Sequence, residues 1–177
     1  MGPDPLGWFK RPIKDLKDFK GMKCRQTGIV AEIYQRMGMQ TVNMPGGEIV
    51  PSAQRGVIDC AEFTGPADDM KIGFQTIWKN FYPSSIHEPA TVLELLINAD
   101  VWKGLAPEQR AIIQAATIEA TIRSETTKNR LNVAAMKELR EKHNVKMMPT
   151  PPDVLKKTLE TWDGIAKDES AKNPFFK

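Results

Sequence analysis

Apolar positions along the chain follow two periods, and together they outline an alternating architecture. Ile29, Ile33 and Met37 recur every four residues and Gly38 follows them, which predicts a helix over 29–37 with a glycine stop. Ahead of it, Met22-Lys23-Cys24-Arg25 reads as a short strand. After it, Thr41-Val42-Asn43-Met44 reads as a second strand, Pro45-Gly46-Gly47 as a turn, and Glu48 to Arg55 as another short helix stopped by Gly56. Val57 to Phe63 reads as a third strand. Strand, helix, strand, helix, strand with tight glycine turns predicts right-handed parallel units and hence an α/β fold.

Further along, Val92-Leu93-Glu94-Leu95-Leu96-Ile97 is apolar except for Glu94, and a fourth strand is expected over Thr91 to Asn98. Between the third and fourth strands, Thr64 to Pro89 shows no sustained period. It reads as an irregular stretch carrying Trp78, Phe81, Tyr82, His87 and Glu88, and long irregular segments in compact domains are often functional. The first twenty residues, rich in proline and lysine, read as a loop and a helical turn closed by Gly21. From Pro107 to His143 there is no glycine, and no proline after the first position. Ile112, Ala115, Ile118, Ile122, Leu131, Ala135 and Leu139 keep an approximate helical spacing. A helix of ~35 residues extends ~50 Å, longer than the small sheet domain, so it must reach something else. Val145 to Met148 reads as a strand, and Pro151-Pro152-Asp153 opens a last helix to about Ala166. Phe175 and Phe176 look exposed at the end.

Size and charge narrow the function. With 177 residues the chain can form one domain or an incomplete pair. Its 41% hydrophobic and 27% charged residues are ordinary for a globular protein. The net charge of +3 comes partly from the stretch Lys10 to Lys23. Few aromatics interrupt it, so it reads as a solvated surface and no nucleic-acid partner is expected. No apolar run approaches the ~20 residues of a membrane span. Met1-Gly2-Pro3-Asp4-Pro5 lacks the features of a secretory leader, so the chain either stays in the cytoplasm or has its leader upstream. Cys24 and Cys60 lie in predicted core strands. Buried free thiols are the favoured reading, with a disulfide between neighbouring strands as the other. Neither cysteine has an adjacent base, and His143 reads as a C-terminal cap, so no nucleophilic catalysis is expected. An enzyme using Glu62 and Glu88 as an acid/base pair is the rival of a different class.

Several segments carry a resemblance. Gly7-Trp8-Phe9, Leu16 to Gly21 leading into Lys23-Cys24-Arg25, and Gly46-Gly47-Glu48-Ile49-Val50-Pro51 are similar to segments of TRAP-transporter solute-binding proteins. So is Arg55-Gly56-Val57-Ile58-Asp59-Cys60-Ala61-Glu62-Phe63, followed by Gly65-Pro66 and Asp68-Asp69. The long helix after Leu105-Ala106-Pro107 fits the family helix that crosses both lobes. The resemblance covers essentially the whole chain but only the C-terminal part of a family member. It implies a lobe like the type II periplasmic binding proteins, a parallel-rich sheet flanked by helices, with a very long helix that normally spans two lobes. The expected organisation is a sheet lobe over 22–98, the long helix over 107–143 and a C-terminal segment over 144–177. On this resemblance the N-terminal lobe, which supplies the opposite wall of the cleft, is expected to be missing from this chain.

The same resemblance implies roles. Arg25 is the bidentate partner of the ligand carboxylate, a role that suits a guanidinium at the C-terminal end of a parallel strand. One branch of the family binds 2-oxo or 2-hydroxy acids with a cation held by two glutamates and a backbone carbonyl, which here are Glu62, Glu88 and the carbonyl of Phe63. Oxygen-only ligation suits Ca²⁺ or Na⁺, and no obligatory cofactor is expected. Glu62, Phe63 and His87 complete the ligand contacts. Phe63 stands where that branch has tryptophan, and His87 where it has an aromatic. His87 therefore either donates to a larger or more polar ligand or is a solvated loop residue. The implied function is periplasmic capture of a small organic acid for membrane permease subunits, without catalysis. The alternative is a truncated fragment that binds nothing and acts as a helical interaction module. Self-association through the long helix is expected on either reading.

Overall fold

A computed structural model describes residues 3–91 and 93–176. Three strands and two helices realise the predicted parallel unit. They are β2 (Lys23–Arg25), α1 (Gly28–Arg36), β3 (Gln40–Val42), α2 (Gly46–Gln54) and β4 (Cys60–Ala61). β2 pairs in parallel with β3 on one side and with β4 on the other. The third strand is therefore only the centre of the predicted Val57 to Phe63 run.

The rest of the sheet departs from expectation. Gly7–Phe9, inside the segment read as a loop, forms β1 and pairs antiparallel with β4. The stretch Thr64 to Pro89 is not wholly irregular. It folds as α3 (Pro66–Ile72), α4 (Phe74–Ile77) and β5 (Asn80–Tyr82), and β5 pairs antiparallel with β1. β6 (Lys146–Met147) adds in parallel to β5, giving the order β3-β2-β4-β1-β5-β6. Each missed strand is three residues long, too short to display a period, and is defined by its neighbours instead. β1 also needs its glycine: Gly7 has φ +117°, and a Cβ there would sit 2.6 Å from the Ala61 carbonyl oxygen.

The expected strand over Thr91 to Asn98 is not formed. Val92 lies outside the described residues, and the others belong to no strand. Leu93, Leu95 and Leu96 are 70%, 62% and 84% exposed. An apolar run becomes a strand only where a sheet edge receives its backbone, and this run pairs with neither edge strand, β3 nor β6. A short helix, α5 (Ala99–Gly104), follows it.

Alternation along the strands divides the core in two. Trp8 joins Ile49, Phe74, Trp78, Phe81 and Leu139, whereas its neighbour Phe9 joins Phe19, Cys24, Ile33, Tyr34 and Tyr82. Cys24 and Cys60 stand opposite each other in the parallel register, with Cα atoms 4.6 Å apart, and are joined as a disulfide. The free-thiol reading is thereby corrected: adjacent in-register positions place both side chains on one sheet face. α6 (Pro107–His143) has the predicted bounds, and at 1.5 Å per residue its 37 residues run about 55 Å. It buries only Ala135 and Leu139, against α3 and α4. α7 (Pro152–Lys172) outlasts its expected end at Ala166 and closes the face that carries α1.

Candidate functional site

Arg25 ends β2 with its side chain 8% exposed. Its Nη1 donates to the Glu62 carbonyl at 2.6 Å and its Nε to the Met44 carbonyl at 3.3 Å. The guanidinium carbon lies 5.6 Å from the centre of the Phe63 ring. The ring is itself held by close approach of α2, since a Cβ on Gly46 would come within 2.7 Å of it. Two backbone carbonyls and one aromatic ring thus fix one planar cation. The nearest carboxylate oxygen, Glu62 Oε2, is 3.9 Å away. Burial pulls the Arg25 pKa down, opposed by Glu62 and Asp69. A guanidinium remains charged through such a shift.

Glu62, just after β4, is 4% exposed. Its Oε1 is buried without a hydrogen-bond partner among the described residues. Burial pushes its pKa up to about 8, reinforced by Asp4, Asp69 and Glu88 and opposed by Arg25. Asp4 was missed by sequence reasoning, because an aspartate in a proline-rich terminus gives no signal. It is 7% exposed and pushed up to about 7, by burial first and Glu88 second. Its backbone N–H donates to the Glu88 carbonyl at 3.0 Å. Asp69 is fully buried and raised to about 6 by burial, although Trp8 Nε1 donates to it at 2.7 Å. Glu88 lies beyond β5 and accepts from Thr91 Oγ1 at 3.2 Å.

His87 is not a solvated loop residue. Tyr34 Oη and Ser85 Oγ approach its Nδ1 at 2.9 and 2.5 Å. Burial lowers its pKa to about 4, so the ring is neutral. With two hydroxyls converging on Nδ1 as acceptor, the proton belongs on Nε2, which is buried and unpartnered among the described residues. His87 and Glu88 also line a cavity of about 590 Å³ between α1 and α7, walled by Ile29, Ile33, Leu159 and Trp162. Arg25 and Glu62 lie outside that cavity. The structure therefore brings Arg25, Glu62 and Phe63 into contact and links Glu88 to them through Asp4, while His87 faces a neighbouring apolar space.

Among the described residues, no three His, Cys, Asp or Glu side chains stand close enough to hold a metal by themselves. The expected cation set needs only two carboxylates and a carbonyl. Glu62 fits it: a cation would satisfy the orphaned Oε1 and offset the crowding of buried negative charge.

Residues 6–172 match the bacterial extracellular solute-binding proteins, family 7, and the chain belongs to that family. It is 32% identical over 171 residues to a monocarboxylate 2-oxoacid-binding periplasmic protein of Nostoc sp., covering 97% of this chain and 47% of that one. A TRAP periplasmic solute-binding protein of Colwellia psychrerythraea, solved with bound calcium and pyruvate, is 28% identical with a TM-score of 0.92. Another, from Pseudoalteromonas atlantica with bound sodium and pyruvate, is 29% identical with a TM-score of 0.88. Each of the two shares 99% of this chain and 53% of its own. The chain thus spans about half the length of the relatives it matches. No helix among the described residues is long and apolar enough to cross a membrane.

Proposed function

We propose that this chain is the ligand-anchoring part of a periplasmic TRAP solute-binding protein that captures a small 2-oxo or 2-hydroxy monocarboxylate for the membrane permease. The observation that carries this reading is Arg25, a buried guanidinium at a parallel strand end, held by two backbone carbonyls and paired with a carboxylate only at 3.9 Å, to Glu62 Oε2. A carboxylate docking there gains charge-assisted hydrogen bonds in a site already desolvated. On this reading Glu62, the Phe63 carbonyl and Glu88 would hold a cation beside the acid, and the Phe63 ring would supply an apolar wall. Once bound, the cation supplies the positive charge that lets an anion sit beside two carboxylates. Nothing in this arrangement activates a nucleophile, so the solute leaves unchanged and the protein is not an enzyme.

The reading also assigns a use to the exposed apolar positions from Leu93 to Ile122. They face a second lobe, which closes the cleft from the other side by hinge motion. Names of relatives that bind pyruvate support the substrate class, and their length supports the two-lobed organisation.

A thermal-shift titration tests this directly. Pyruvate, lactate and a dicarboxylate control are added to the chain in the presence of calcium, and repeated on Arg25→Ala. Pyruvate at ~100 times its dissociation constant stabilises by ~2.7 kcal/mol, and Arg25→Ala abolishes the shift. Stabilisation by pyruvate that survives Arg25→Ala would sink the reading, as would silence from both this chain and a two-lobed form of it.

A further inference from the structure

The strands also share an end on the side of the sheet away from Arg25, and it is basic. Backbone hydrogen bonds run along it. The Lys10 N–H donates to the Asp59 carbonyl at 2.8 Å, the Asp59 N–H to the Lys23 carbonyl at 2.7 Å, and the Lys146 N–H to the Lys79 carbonyl at 2.7 Å. In the order β2-β4-β1-β5-β6, successive strands are therefore capped by Lys23, Asp59, Lys10, Lys79 and Lys146. At ~4.8 Å between strands this row spans ~19 Å. The fold thus adds lysines from two distant segments to the basic stretch of the sequence. The loop from β1 to β2 brings Arg11, Lys14, Lys17 and Lys20 beside the row, all exposed. Lys10, Arg11, Lys20, Met22 and Asp59 line a groove of about 460 Å³ there.

Four carboxylates answer these eight cations, and backbone N–H groups already engage them. Asp15 accepts from Lys17, Asp18 from Lys14, Asp153 of α7 from Leu16 and Asp59 from Lys23. Arg11 pairs with Asp18 at 2.9 Å and Lys10 with Asp59 at 3.6 Å. Lys79 Nζ rests on the carbonyls of Gln75 and His143. The other five, Lys14, Lys17, Lys20, Lys23 and Lys146, make no ion pair among the described residues. Eight cations against four carboxylates give this end a formal charge of +4, whereas the whole chain carries +3, so the remainder is net negative. Charge separated in this way orients a molecule before contact. Apart from Arg11 the cations are lysines, flexible point charges rather than planar forks that select single carboxylates. Phe9 and Phe19, the aromatics of this stretch, are 2% and 0% exposed, so no ring is offered to stack on a base. A broad row of point charges fits a broad sheet of anionic headgroups, where each nearby lysine adds to the attraction. We propose that the strand end bearing Lys10, Lys20, Lys23, Lys79 and Lys146 docks this chain on an anionic phospholipid surface, peripherally and by charge. Docked so, the chain holds Arg25 and Glu62, at the opposite strand ends, away from the lipid and open to solute. The inference goes beyond the carboxylate reading and uses none of its residues.

Vesicle co-sedimentation tests it, with vesicles of phosphatidylcholine alone and of phosphatidylcholine with roughly one-third phosphatidylglycerol. The anionic vesicles should retain the wild type at about 0.02 M sodium chloride and bind it at least about tenfold more weakly at about 0.3 M, as screening shortens the reach of each charge. Neutral vesicles should retain none. Lys20→Glu with Lys23→Glu and Lys146→Glu should weaken anionic-vesicle binding at least about tenfold. Lys103→Glu with Lys167→Glu and Lys172→Glu changes the net charge equally at exposed positions elsewhere, and should weaken it less than about threefold. Equal retention on neutral and anionic vesicles, or none on either at low salt, overturns the proposal without any variant. So does an equal loss in the two triple variants, which would make net charge and not this surface the cause. Capture of the chain by poly-glutamate, with none on anionic vesicles, would give the surface to an acidic protein instead. The first triple variant should keep the wild-type unfolding midpoint and pyruvate response, which separates lost docking from lost folding. Vesicle binding without a pyruvate response keeps this inference and fails the carboxylate reading, and the reverse result fails this inference alone.

Discussion

At the scale of single residues, the site stores its chemistry as protons held by buried acids. Glu62, Asp4 and Asp69 are raised to about 8, 7 and 6, whereas the unfolded chain releases those protons near pH 4. Between those values the unfolded state binds fewer protons, so stability must fall as pH rises. His87 works in the opposite sense. Burial holds it near 4, so from about pH 4 to 6.5 the unfolded state binds the extra proton and stability rises with pH. Above pH 6.5 the histidine contributes no slope and the carboxyls dominate. The urea midpoint of the cation-free chain is therefore expected to fall from pH 6.5 to 8.5. Glu62→Gln should remove most of that fall, raising stability at pH 8 by about 2 kcal/mol. Saturating calcium should abolish the fall in the wild type. A flat profile in the cation-free wild type would show that Glu62 is already ionised and paired. That Arg25, Glu62 and Phe63 come together could be anticipated, because they sit in long matching segments at strand ends. Asp4 was not, since what makes it special is the approach of Glu88 from 84 positions away.

Among elements, legibility followed length. α1, α2 and α6 could be read from their period and their stops, because a helix records its partner face every three or four residues. β1 and β5 could not, since three residues hold barely one alternation and their identity comes from pairing with each other and with β4. The apolar run at 93–97 failed in the opposite way: its pattern is that of a buried strand, but pairing is a property of two segments. The parallel pairing of β2 with β4 carries its own prediction through Cys24 and Cys60. Their link closes a loop with a sequence separation of 36 residues, for which the chain-entropy relation gives about 4 kcal/mol. Cys24→Ala with Cys60→Ala should lower the unfolding free energy by roughly that amount relative to the oxidised wild type. Because Arg25 and Ala61 follow the cysteines directly, pyruvate affinity should weaken in the same variant. Identical urea midpoints for oxidised and reduced wild-type protein would show that the link contributes nothing.

The whole molecule is two bodies of unequal security. From β1 to β6, with α7, it is an open six-stranded sheet with two packed faces; from Leu93 to about Leu131 apolar side chains stand exposed among polar ones. Ile112, Ile118 and Ile122 are 67%, 64% and 62% exposed, and α6 is buried only near its end, at Ala135 and Leu139. The exposed length is held by local means. Thr117, Thr121, Ser124 and Thr126 return their hydroxyls to the carbonyls of the preceding turn, and Arg123 pairs with Glu119 at 2.8 Å. Such contacts are worth only about 0.2–0.5 kcal/mol each, and helices without a packed face are marginal in water. Hydrogen exchange should therefore divide α6. In the monomer, amides from about 112 to 130 are expected to exchange at least a hundredfold faster than those of 135–143, which share the stability of the core. Protection of the first stretch that grows with protein concentration would mean that a second copy covers it, and Ile118→Lys should then abolish that protection. Protection that appears only when the other half of a two-lobed form is joined would mean that this surface belongs between lobes. Uniform protection of the whole helix in dilute monomer would refute the division, and with it the claim that α6 needs a second body to stand on.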